Sequence, residues 1–130
     1  MNGPELRLAR ALLGMSIDRT AQLLEVNRRT VRRWEHSEAT IPGYASEFMA
    51  GRLDMRDLRL SAVLEFIAEL RTSGRTPESI ELTLYTSEES QARGEPGMSL
   101  TEHTAAVAAV YDILRTEGIP AEVHFSAEEP

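Results

Sequence analysis

A chain of 130 residues has room for one domain or two small ones. It has no cysteine, which excludes disulfides, thiolate metal sites and thiol catalysis. Its net charge of −7 is unevenly spread: residues 1–75 carry 12 Arg against 10 acidic residues, whereas residues 76–130 carry 2 Arg against 11, so the halves stand at +2 and −9. No run approaches the ~18 apolar residues of a membrane span. The segment Met1 to Glu5 has neither the basic nor the apolar region of a signal peptide, so a cytoplasmic protein with no membrane partner is expected.

A first helix is expected from about Pro4 to Leu13, with Pro suited to the first turn and Gly14 to the stop. Ser16 caps a second helix, and Asp18 favours its first turn through the helix dipole. Ala21 and Leu24 lie on its apolar side, and the tight connection Glu25-Val26-Asn27 follows. Asn27 is a strong N-cap for a third helix reading Arg28-Arg29-Thr30-Val31-Arg32-Arg33-Trp34-Glu35. Winding that segment at about 100° per residue puts Val31 and Trp34 on one side. Arg29, Arg32, Arg33 and His36 fall on the other, with Arg28 flanking the entrance. A polar loop spans His36 to Thr40. Pro42 opens a fourth helix with Tyr44, Phe48 and Met49, which Gly51 weakens or breaks, and a fifth runs from about Asp54 to Thr72. Its apolar stripe of Leu60, Val63, Ile67 and Leu70 is widened by Leu64 and Phe66, and Gly74 and Pro77 end it.

The period then changes. Ile80, Leu82 and Leu84 alternate with Glu81, Thr83 and Tyr85, the pattern of a half-buried strand. Ser87 to Gly97 reads as a polar loop. Ser99 and Glu102 have capping-box spacing, and a helix follows to about Glu117, stopped by Gly118 and Pro120. Ala121 to Phe125 is a second short strand. Strand, helix, strand implies parallel neighbours, and so little structure buries too little surface alone. A two-fold partner would complete the sheet. The expected fold is therefore mostly α with a small α+β part: a five-helix helix-turn-helix domain over 1–75, a β-α-β dimerisation unit over 76–125 and a disordered tail over 126–130.

Ala21, Leu24, Val26, Val31 and Trp34 frame two short helices packed at a steep angle, with the small Ala21 where the second crosses. In this the region from Glu5 to Met49 resembles the Cro and repressor (XRE-type) helix-turn-helix regulators of phages and bacteria. Two positions depart from that pattern: Glu25 stands where the family usually has Gly, and Ile17 where it often has a phosphate-contacting Gln. The resemblance implies that Arg10 pairs with Glu35, as an Arg and a Glu do in lambdoid repressors, tying the first helix to the recognition helix. The whole chain is similar in layout to anti-CRISPR-associated autoregulators, which join such a domain to a small dimerisation domain.

The outer face of the third helix suits the DNA major groove, because Arg bonds a guanine edge bidentately or holds a phosphate. The candidate DNA-contacting set is Ser16, Arg19, Asn27, Arg28, Arg29, Thr30, Arg32, Arg33 and His36, with Arg28, Arg29 and Arg33 expected at bases and Arg32 at phosphate. The acidic half is expected to face away from phosphate. His36, His103 and His124 are isolated, no Ser lies in a nucleophile elbow and the Gly residues form no phosphate loop, so no enzyme activity, metal, cofactor or small-molecule substrate is expected. The reading is a homodimeric repressor or autoregulator, phage-related, on an inverted repeat in double-stranded DNA. Its alternative is an antitoxin whose carboxyl half binds a toxin.

Overall fold

A computed structural model describes residues 1–75 and 78–127. Six helices and two strands are found among them, in the order α1 (Gly3–Leu13), α2 (Ile17–Leu24), α3 (Arg28–Glu35), α4 (Gly43–Ser73), β1 (Ile80–Leu84), α5 (Glu88–Gly94), α6 (Leu100–Thr116) and β2 (Ala121–Phe125). The protein is mostly helical with a small parallel sheet. No described helix is long and apolar enough to cross a membrane. The chain divides into two compact units, Met1–Arg56 and Asp57–Pro130. This division falls inside α4, whereas the sequence pattern places it after residue 75.

In the amino-terminal unit each helix is closed by local chemistry. Asn2 caps α1: its side chain accepts from the Glu5 N–H, and the Glu5 carboxylate accepts from the Asn2 N–H, both at 2.9 Å. Ser16 and Asn27 cap α2 and α3 in the expected way. Leu6, Ala9 and Leu13 of α1, Ala21 and Leu24 of α2 and Val31 and Trp34 of α3 meet Ile41, Ala45 and Met49 in one buried cluster. Spacings of three and four residues turn these side chains to one face of each helix.

The expected fourth and fifth helices are one helix of 31 residues. Gly51 is exposed and interior to it. A lone Gly costs a helix only ~1 kcal/mol relative to Ala, and its neighbours Ala50, Arg52 and Leu53 are good helix formers. Gly74, with φ +69°, ends the helix. The second expected stop, Pro77, lies outside the described residues.

In the carboxyl-terminal unit β1 and β2 pair in parallel, in the register Ile80↔Ala121, Leu82↔Val123 and Leu84↔Phe125. The expected loop between Ser87 and Gly97 instead contains α5. Ser87 caps it, and Glu88 and Glu89 occupy its first turn, where the dipole favours acids. These signals outweigh the glycines, which fall at its end and beyond. A Cβ on Gly94 would overlap the Tyr85 side chain, so the missing side chain is what admits that ring. The capping box of Ser99 and Glu102 starts α6, and Glu88 reaches across to accept from the Leu100 N–H at 3.1 Å. Among the described residues of this unit, Ile67 and Leu114 are the buried hydrophobic ones. Ser126, expected in the tail, is tied to the sheet, its N–H donating to the Leu84 carbonyl at 2.7 Å; the rest of the expected tail from residue 128 lies outside the described residues.

Candidate nucleic-acid interface

α3 is fixed at both ends and along its inner side. Val31 is fully buried and Trp34 nearly so, which sets the helix's rotation. At its entrance the Asn27 carboxamide oxygen accepts from both the backbone N–H and the hydroxyl of Thr30, at 2.9 and 3.0 Å. The chain enters α3 through a tight helix end. The Val26 N–H returns to the Ala21 carbonyl and the Glu25 N–H to Gln22, which places Glu25 in the left-handed region at φ 58°. α3 leaves in the same way: Ser37, at φ 59°, donates to Trp34, and Glu38 donates to Arg33. These two are the non-Gly residues of positive φ among those described, and they bracket α3.

α1 holds the far end of α3. Arg10 meets Glu35 bidentately, with Nε to Oε2 at 3.0 Å and Nη2 to Oε1 at 2.8 Å. Its Nη1 also donates to the Met15 carbonyl at 2.9 Å. The two side chains retain only 15% and 5% of their exposure, so the pair is largely desolvated. Alongside it Gly3 sits against the end of α3 so closely that a Cβ would overlap the Trp34 and Glu35 carbonyl oxygens. The sequence marks Arg10 and Glu35 through the family resemblance, whereas nothing in it singles out Gly3. Gly3 opens α1, and only the packed neighbour reveals why the residue there must stay small.

The outer face carries the charge. Arg29, Arg32, Arg33 and His36 are exposed, and none of the three arginines has an ion-pair partner among the described residues. Their spacing confines them to about a third of the helix circumference. Arg28 is also exposed, but its Nε lies 3.4 Å from the Asp18 carboxylate, so this candidate base reader meets an acidic neighbour on α2. Such an exposed pair is worth ~0–1 kcal/mol and yields readily to another anion. The other polar candidates are engaged in the fold. Ser16 Oγ accepts the Arg19 N–H at 3.0 Å, Arg19 Nη1 reaches Gln22 at 3.4 Å, and Asn27 and Thr30 bond each other. The structure thus gathers Arg28, Arg29, Arg32, Arg33 and His36 on one open surface. It uses Ser16 and Asn27 as caps, with Thr30 donating to Asn27.

Among the described residues no group of three or more His, Asp or Glu is placed to hold a metal ion. Of the other histidines, His124 is exposed. His103 is half-buried edge-on to Tyr85, with ring centroids 4.9 Å apart, and its Nδ1 has no hydrogen-bond partner among the described residues. Burial lowers its pKa below the ordinary 6.5, and the nearby Glu95 carboxylate opposes that in part. The chain matches no family model and no curated protein.

Proposed function

We propose that this protein is a sequence-specific DNA-binding repressor or autoregulator that occupies an inverted-repeat operator as a homodimer. The observation that carries this is the outer face of α3: Arg29, Arg32 and Arg33 project from a helix held by Val31, Trp34 and the Arg10–Glu35 pair, and no ion-pair partner meets them among the described residues. Unpaired guanidinium groups on a fixed helix are suited to phosphate and guanine, since Arg offers planar paired donors and stays charged. Rigidity matters because base discrimination depends on presenting those donors at a fixed register. Arg29 and Arg33 are assigned to bases, Arg32 to phosphate, and Arg28 to either once it releases Asp18. A two-fold dimer would place two such helices ~34 Å apart, in successive major-groove turns on one side of the duplex.

The antitoxin alternative fits a carboxyl half that orders only on its partner. The paired β1 and β2 strands and the doubly capped α6 favour a unit already ordered, hence the regulator.

Selection from a random duplex pool, followed by anisotropy titration of the enriched sequence, tests the reading. Enriched duplexes should contain an inverted repeat, and affinity should fall steeply with salt. Arg29→Ala and Arg33→Ala should each cost ~1–3 kcal/mol and relax preference at one base pair, while Arg32→Ala weakens all sequences alike. Failure to enrich any duplex would remove the function, and uniform loss for all three variants would move Arg29 and Arg33 to the phosphates.

A further inference from the structure

β2 has an open edge: among the described residues it is hydrogen-bonded on one side only, to β1. The Ile80 N–H donates to the Pro120 carbonyl and the Ser126 N–H to Leu84, so the even-numbered residues of this segment turn their backbone groups toward β1. In a parallel ladder the intervening residues turn theirs away, which leaves the N–H and C=O groups of Ala121, Val123 and Phe125 on the free edge. The same three side chains share a face with Ile80, Leu82 and Leu84, and Val123 and Phe125 keep 42% and 61% of their exposure. Beside them Leu84, Val107, Tyr111 and Val123 line an open apolar groove of about 280 Å³. Glu122 and His124 occupy the opposite face.

We propose that two copies of this chain join antiparallel through their β2 edges, about a two-fold axis at Val123, into a four-stranded sheet ordered β1-β2-β2-β1. This rests on the homodimer of the preceding reading and specifies its interface. Only residues with outward backbone groups can face one another as hydrogen-bonded partners, and a one-residue slip would turn the apolar face outward. The axis must therefore fall at Glu122, Val123 or His124. At Glu122, two carboxylates would oppose each other. At His124, the two imidazoles would, and Glu122 would meet Ser126. At Val123, Glu122 of one protomer faces His124 of its partner, twice, and small Ala121 faces large Phe125. The same register answers a repulsion within each chain: β1 and β2 set Glu81 directly beside Glu122, where the hydroxyl of Ser79, 3.4 Å from Glu122, is a weak counterpart. The partner's imidazole would sit beside Glu122 on the side away from Glu81, giving that carboxylate a second, cationic or hydrogen-bonding neighbour. Four strands also cross the threshold at which a small sheet becomes stable, and no exposed β2 edge is left for aggregation.

The chain has no cysteine, so single cysteines in the full-length protein report the register. Facing residues in a hydrogen-bonded pair lie ~5.5 Å apart between Cα atoms, within disulfide range. Val123→Cys should oxidise to a covalent dimer. Ala121→Cys or Phe125→Cys alone should not, but a mixture of the two should give the crossed product. His124→Glu should weaken the dimer about tenfold by sedimentation, and Glu122→Arg added to it should restore it. A dimer that resists cross-linking at Val123 and in the Ala121/Phe125 mixture would overturn this interface and leave the homodimer standing. A monomer at tens of micromolar would overturn both.

Discussion

Eleven apolar residues between Leu6 and Met49 close into one buried cluster in the amino-terminal unit, whereas among the described residues of the carboxyl-terminal unit only Ile67 and Leu114 are buried apolar side chains, and Leu58, Leu64, Phe66, Tyr111, Val123 and Phe125 are exposed. The contrast extends to charge: Met1–Arg56 holds 9 Arg against 7 acidic residues, and Asp57–Pro130 holds 5 against 14. Two solutions to the same burial problem are visible. Three short helices and the start of α4 interlock tightly enough to need Gly3 and a desolvated ion pair. A two-stranded sheet with two helices leaves apolar side chains of α4, α6 and β2 in the open, and exposed apolar surface is where partners commonly bind. Under the proposed function the first unit would present its arginine face to DNA, and the second would pair with its own copy.

Breaking the ion pair should separate the units most sharply. Glu35→Ala leaves the Arg10 guanidinium largely desolvated with only the Met15 carbonyl, which should cost the amino-terminal unit ~3 kcal/mol. Trp34 is the single tryptophan and is buried in that unit, so its fluorescence during urea unfolding isolates the effect. An unmoved midpoint would show that the pair is incidental.

Dilution should sharpen the contrast. If the carboxyl-terminal unit relies on its partner, a tenfold dilution should lower its melting temperature by about a few degrees through mass action, while the Trp34 transition stays fixed. Far-UV circular dichroism at two concentrations makes the comparison, and equal behaviour of both transitions would contradict the division of labour.

Acidification gives a smaller, one-sided effect. The folded His103 binds its proton less readily than an unfolded histidine, so the unfolded state gains protons first as pH falls through 6.5. Above that value His103 contributes no pH dependence. Below it the carboxyl-terminal unit should lose stability until the folded imidazole also protonates. His103→Phe should flatten that part of the profile between pH 7.5 and 5.5, and identical profiles for wild type and variant would remove the role. Smallest of all, Glu25→Gly should stabilise the amino-terminal unit by up to ~1 kcal/mol, because glycine accepts φ 58° freely but gains entropy when unfolded. A loss in thermal midpoint would mean that the Glu25 side chain does more than occupy the turn.

Much of the amino-terminal unit was legible because its signals are local. Ser16 and Asn27 cap as their positions imply, Val31 and Trp34 are buried, and the arginines lie on the opposite arc. The pairing of β1 with β2 followed from alternation and the intervening helix. Weak signals compete elsewhere: Gly51 resembles a break but sits in a continuous helix, and the Gly- and Pro-bearing segment after Ser87 conceals α5.

The amino-acid sequence by itself determined which segments coil, where they are capped and which side of α3 bears its charge, because those depend on neighbours a few residues away. Only the tertiary structure decided that Gly3 must lack a side chain, that Arg28 lies against Asp18, that Tyr85 needs the space at Gly94 and that β2 keeps an open edge. Each of these turns on the distance between groups that the chain brings together only when it folds, and no local period encodes that distance.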